Sequence, residues 1–292
     1  MMSKFSFKNS LSCAWVEFVK WIVDARMIIV LCLCVFIYSF AVEPIKENAE
    51  LMGEPMNALE PFIATLNSGM ILLIIPLGFL TLISDFPKID GSTIFYIFRI
   101  GKKSWLCGQI LRLFLMTAAY LLAIFAASFI SVITVGFTGE KWSLVATNFA
   151  AEFPEQSGNF GVQLLPENLY NQMTLSTAFV ESTLFVIAYL FSLGMILLAF
   201  SIAKRKTAGI VVCGLVIALG AALCSINTRL MWVLPMAHSI IWLHFTEFLR
   251  EPIFPIFYSA IYFAAMIVAA LIFCIASLKR FDYDIISLEV QS

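Results

Sequence analysis

The sequence predicts an all-α fold: a polytopic membrane helix bundle of six transmembrane helices, with an N-terminal amphipathic elbow helix and short re-entrant helices before the last span. Three observations predict it. Of 292 residues, 61% are hydrophobic and only 13% are charged, with a mean hydropathy of +0.96. A soluble domain carries roughly 45–50% apolar and 25% charged residues, so this chain has too few charges to coat a globule in water. Six apolar runs also approach the length of about 20 residues that a helix needs to cross a bilayer. Finally, the basic residues divide unevenly between the loops that alternate along the chain.

The elements follow in order within a single transmembrane domain, 1–292. Residues 11–24 place Leu11, Trp15, Phe18 and Ile22 on one helical face and Glu17, Lys20 and Asp24 on the opposite one. This predicts an interfacial elbow helix over about 9–24, with Trp15, Phe18 and Ile22 resting on lipid. The spans are expected at about 27–42, 63–83, 111–135, 180–203, 208–226 and 256–278. Glu43 and Pro44 are expected to stop the first, and Pro76 to kink the second. Ser39-Phe40-Ala41 resembles a signal-peptidase site, but the 26 residues before the apolar run are long for a signal's basic region, so the first span is expected to be retained. The connection 136–176, about 41 residues, is too long to lack structure of its own. Leu230–Leu249 is apolar but interrupted by Pro235, His238, His244 and Glu247, and reads as two short helices dipping into the outer leaflet.

Orientation follows from the excess of Lys and Arg on cytoplasmic loops. With the N-terminus inside, 14 of the 18 basic residues are cytoplasmic, and only Lys46, Lys141, Arg229 and Arg250 are outside. Both termini are therefore expected in the cytoplasm of a multi-pass protein of the cell membrane. The net charge of −1 includes no concentrated basic face, which argues against nucleic acid as a partner. The seven cysteines lie in or beside apolar runs without framework spacing, and suggest neither disulfides nor zinc.

Chemistry-bearing residues are sparse. The chain has no GxxxxGK[ST], G-x-S-x-G or H-E-x-x-H motif, so no ATP-binding loop and no common hydrolase site is expected. No catalytic residue, no cofactor and no metal is assigned. His244 and Glu247 share a helical face while His238 is expected to point away, which leaves no metal-ligand set. Asn67 and Ser68 in the second span, typical helix-to-helix glue, and Glu181 in the fourth are the polar candidates for a translocation path. In the stretch 84–112, Asp90-Gly91 forms a turn, Ser92 caps a short helix and Gly101 ends it. That helix carries Ile94, Phe95, Ile97, Phe98 and Arg99 into a cytoplasmic loop, where lipid headgroups or a protein groove must cover it.

This layout resembles the permease subunit of a type-2 ATP-binding cassette exporter. The likeness lies in the elbow, the six spans, the apolar helix between spans 2 and 3, the re-entrant pieces, and the run Arg99-Ile-Gly101-Lys102-Lys103-Ser-Trp105-Leu-Cys-Gly108-Gln109. The connection between spans 3 and 4 is longer than usual in that class, which leaves the substrate open. The resemblance implies a second permease subunit, identical or related, and a cytoplasmic ATPase subunit that binds ATP and magnesium. It also implies that Ile94, Phe95, Ile97, Phe98, Arg99 and Gly101 form the ATPase-coupling helix, and that the cargo is amphiphilic: a peptide, lipid or drug. Two alternatives remain beside it. One is a non-transporting membrane subunit for sensing or immunity. The other is a membrane-embedded enzyme, which would need a polar cluster converging at one depth.

Overall fold

The structure, a computed structural model, describes residues 5–88, 97–246 and 252–278. Among these it is all-α, with isolated bridges at Asn57–Phe137 and Phe245–Pro252 as the extended pairings. Five helices are long and apolar enough to cross a membrane: α2 (Ala25–Met52), α5 (Lys102–Val132), α9 (Leu175–Ile202), α10 (Lys206–Ile226) and α12 (Ile256–Leu278). A sixth crossing exists if the bent pair α3 (Glu60–Asn67) and α4 (Gly69–Leu82) counts as one span. The remaining helices are α1 (Phe7–Ile22), the short α6 (Leu144–Glu152), α7 (Phe160–Gln163) and α8 (Glu167–Tyr170), and α11 (Pro235–Ser239).

α9 is the central helix, with most of its apolar stretch inside the bundle. Leu122, Ile130, Leu215, Phe257 and Ile272 point outward from the peripheral helices and are exposed. Outward apolar side chains on long helices are what lipid solvates, and they mark the chain as a membrane protein.

Two span expectations need correction. Glu43 and Pro44 do not stop the first helix, which runs on to Met52. A π-helical turn, Tyr38–Val42, precedes Pro44, and Pro44 occupies the first turn of the segment Glu43–Met52. Proline's missing N–H costs little there, because a widened turn has already shifted the hydrogen-bond ladder. The second span, expected as one run over 63–83, holds Pro76 inside α4. It is broken at Ser68, whose extended backbone (φ −74°, ψ 119°) turns α3 by 81° from α4. With 14 residues, α4 is about 21 Å long, well short of a hydrocarbon core of about 30 Å.

The bundle has two ends. α1, the loop after α4, the start of α5 and the α9–α10 turn meet at one, tied by Trp21 Nε1–H donating to Leu82 O (3.3 Å) and Ser201 Oγ–H donating to Phe86 O (3.2 Å). At the other, Asn57 Nδ2–H donates to Gly139 O and Lys141 O (3.0 and 3.1 Å), and α6 and α7 fold over the end of α2. The long connection therefore has the local helices expected of it.

Candidate functional site

At the α1 end, α1 lies along the first turns of α5. Gly108 permits the approach: a Cβ there would sit 3.0 Å from Ser10 O and 3.3 Å from Cys13 Cβ. Ser6 N–H donates to Ser104 Oγ at 3.1 Å. The face of α1 against the protein is small and polar, comprising Ser10, Cys13, Ala14 and Glu17 together with Trp21. Leu11, Trp15, Val19 and Ile22 are left exposed. Phe18 departs from the sequence reading, because it is buried and stacks on Trp21 with centroids 6.0 Å apart. It sits at the margin between the two faces, and the second aromatic draws it inward.

Glu17 departs further, for it is buried rather than solvated. Arg112 Nη1–H donates to Glu17 Oε2 and to Gln109 Oε1, both at 3.4 Å, and Lys20 Nζ–H donates to Glu17 Oε1 at 3.1 Å. The Arg112 guanidinium also lies 5.4 Å from the centre of the Phe86 ring. Beside this pair, Asp85 takes Arg26 and Lys206, the latter at 3.4 Å. Burial alone would raise the Asp85 pKa, but the Arg26 hydrogen bond and the charges of Lys206 and Arg26 outweigh it and hold the carboxyl below its usual range.

The turn 97–101 closes this end. Residues 97–100 are helical, and Gly101 has φ +84°, a left-handed conformation suited to glycine, where α5 begins. Ile97 and Ile100 are buried at 1% and 6% exposure, while Phe98 is 63% exposed and Arg99 also points outward. Ile97 is thus part of the chain's own core and is not free to anchor a partner, a correction set by its three-residue spacing from Ile100. Ile94 and Phe95 lie outside the described residues.

At the opposite end, Asn67 is a structural hub. Its Nδ2 donates to Ile63 O (2.9 Å) and Ser182 Oγ (2.7 Å), and its Oδ1 accepts from Ile241 N–H (2.9 Å). The Asn67 carbonyl, released from the helical ladder by the break at Ser68, accepts from Trp242 Nε1–H at 2.8 Å. Non-helical backbone at membrane depth survives only where protein satisfies it, and these bonds do so. Asn67 is fully buried and spends both amide N–H groups and its oxygen on the chain itself, so it offers no exposed polar group to a cargo here. Ser68 is half-buried at the break. Glu181 lies in the second turn of α9, half-buried, with Oε2 enclosed and without a hydrogen-bond partner among the described residues.

Sequence reasoning missed two constellations here. Glu60, just before the second apolar run, is fully buried and accepts from Asn57 N–H (3.1 Å), Ser143 N–H (2.6 Å) and Ser143 Oγ–H (2.8 Å). Its place beside Pro61 at a helix start was the available signal. His238 and His244 converge instead of diverging. His238 Nδ1 and His244 Nε2 each lie 2.8 Å from Ser259 Oγ on α12. The convergence comes from Ile240, extended (φ −93°, ψ 106°) between α11 and the turn Ile241–His244, which turns both rings toward α12. No feature of the sequence marks Ser259 as their partner. It is fully buried, so no substrate reaches the hydroxyl. Among the described residues, no group of three or more His, Cys, Asp or Glu could hold a metal ion. Compared with protein families, characterised proteins and solved structures, the chain matches none.

Proposed function

We propose that the chain is the permease subunit of a type-2 ATP-binding cassette exporter, moving a hydrophobic or amphipathic substrate such as a peptide, lipid or drug. It pairs with a second permease subunit in the cytoplasmic membrane, both termini inside. A separate ATPase binds beneath and supplies ATP with its magnesium. Six crossings follow when α3 and α4 count as one span.

The observation that carries this reading is the turn 97–101. Ile97 and Ile100 fix it to the bundle while Phe98 and Arg99 project beyond it. An aromatic with a neighbouring arginine is the kind of pair that dominates binding energy at protein interfaces. A turn anchored in the core transmits a push from its exposed side to α5, which it adjoins directly through Gly101. The exposed apolar face of α1, with Leu11, Trp15, Val19 and Ile22, supports an interfacial elbow beside it. The spans, with few ionisable groups, favour apolar cargo over ions.

The test is purification in mild detergent from the native membrane, with the associated proteins identified. An ATP-binding cassette ATPase that copurifies in stoichiometric amount is the expected result. A chain that transports or protects fully without any ATPase contradicts the reading.

A further inference from the structure

The two histidines and Ser259 form a chain of four contacts, the last shared between two carbonyls. His238 Nε2 lies 2.8 Å from Trp232 O, and His238 Nδ1 lies 2.8 Å from Ser259 Oγ. Ser259 Oγ lies 2.8 Å from His244 Nε2, and His244 Nδ1 lies 3.1 and 3.2 Å from Ile240 O and Ile241 O. A carbonyl only accepts, so both end contacts need a ring N–H. With both rings neutral, each ring N–H is then committed to its carbonyl. Ser259 has one hydroxyl proton and can serve one ring, leaving the other bare nitrogen facing an oxygen lone pair at 2.8 Å. Three protons cannot fill four contacts. One added proton fills them all, and it can sit on either ring, the serine hydroxyl reversing to match.

We propose that His238, Ser259 and His244 form a single proton-binding site, and that the bound proton clamps the segment 229–246 onto the last helix. The surroundings suit a cation. Tyr262 stacks on His238 with centroids 4.0 Å apart, and Trp232 meets both rings edge to face at 5.4 and 4.9 Å. A cavity of about 370 Å³, bordered by Arg229, Trp232, Trp242 and Phe245, lies beside the Trp232 end of the cluster.

Burial opposes the proton. It pushes His238 down and His244 down to about 4, the neighbouring His238 adding to the latter. The titratable groups on the elements packed against the pair are Arg229; Glu167 and Tyr170; Glu181 and Tyr189; Lys206, Cys213 and Cys224; and Tyr258, Tyr262 and Cys274. None of these makes an ion pair with either ring. Glu247, Arg250 and Glu251 lie outside the described residues. Hydrogen bonding to the charged form therefore carries the site against desolvation. The two effects have opposite signs in solution. A clamp raises the folded-state pKa above the unfolded value of about 6.5, so its stabilisation is present below that pH and lost as pH rises through the folded pKa. Burial alone gives the reverse.

These are the chain's only two histidines, so a histidine-selective ¹⁵N spectrum of the full chain in nanodiscs reports this cluster alone. At neutral pH, three of the four ring nitrogens are expected to carry protons, the third leaving in a one-proton step as pH rises. Amides of 229–246 should lose hydrogen-exchange protection in the same step. Two neutral rings across about pH 5–8 overturn the proposal. In His244→Gln the amide donates N–H to Ser259 without a charge, so His238 is expected to be neutral at pH 7. A His238 that stays doubly protonated there also overturns it. Ser259→Ala, which removes the bridge, should leave both rings neutral while the chain keeps its helical content.

Discussion

The two ends of the bundle solve the burial of polar groups differently. At the α1 end the polar groups are full charges in pairs, Glu17 with Arg112 and Lys20, and Asp85 with Arg26 and Lys206. At the opposite end, Asn67, the two histidines and Ser259 are held by hydrogen bonds, and the Glu60 carboxyl is held by N–H and O–H donors rather than a cation. The difference bears on movement. Asp85 is half exposed, and water recovers both members of such a pair when it opens, so opening is cheap. Asn67 and Glu60 are sealed, and separating them from their partners strands several groups together. The Asp85 cluster is built to open, while the buried Glu17–Arg112 pair and the hub end are built to stay.

Four predictions break or sharpen this contrast. The largest effect is all or none. In a cysteine-free background, single cysteines at Gly158 and Arg229 label from the outside with an impermeant maleimide, while cysteines at Asp24 and Lys204 do not. A common labelling side for both sets would dissolve the distinction between ends.

Next is Glu17→Gln, which leaves the Arg112 charge buried without its acid and should cost about 3 kcal/mol or more. Adding Arg112→Met should return most of it, because replacing both members of a buried pair is nearly neutral. Thermal unfolding in nanodiscs reads both, and equal losses in single and double variants would show that the pair is not coupled. Asn67→Leu follows at about 2–3 kcal/mol, from the orphaned Ile241 N–H and Ser182 hydroxyl. Hydrogen exchange should rise at Ile241 and Trp242 but not at the α1 end.

The smallest is Asp85→Asn. Exposure discounts its pairs to under about 1 kcal/mol. Since the folded pKa is depressed, the contribution is present above the usual carboxylate value of about 3.9 and fades as pH falls through the lower folded value. An unfolding scan between neutral and acidic pH should show a slope slightly shallower in the variant than in the parent chain.

The helices themselves were legible in the sequence, because apolar runs over about 20 residues have few alternatives in a membrane. α5, α9, α10 and α12 fall where the runs put them. What was not legible depends on partners distant in the chain. Pro44 looked like a stop because the π-turn before it has no sequence signature. Pro76 looked like the weak point, yet the break fell at Ser68, where Trp242 and Ile241 offer hydrogen bonds from 174 residues away and more. Glu17 looked solvated because Arg112, 95 positions on, was not known to face it. The exposed face of α1 was readable from periodicity, apart from Phe18. At 97–101, composition gave the apolar character and Gly101 the ending, but not which isoleucines would turn inward.

The central claim is that the Phe98–Arg99 turn docks an ATPase, and the most direct measurement is the ATPase copurified per chain in Phe98→Ala and Arg99→Glu variants. Truncating such an anchor should cost about 2 kcal/mol or more of association, roughly a thirtyfold loss of affinity. The account predicts that both variants reach the membrane at normal abundance and unfold at the parent temperature, while bound ATPase and substrate-stimulated hydrolysis collapse. Parental ATPase binding and coupling in both variants would contradict it.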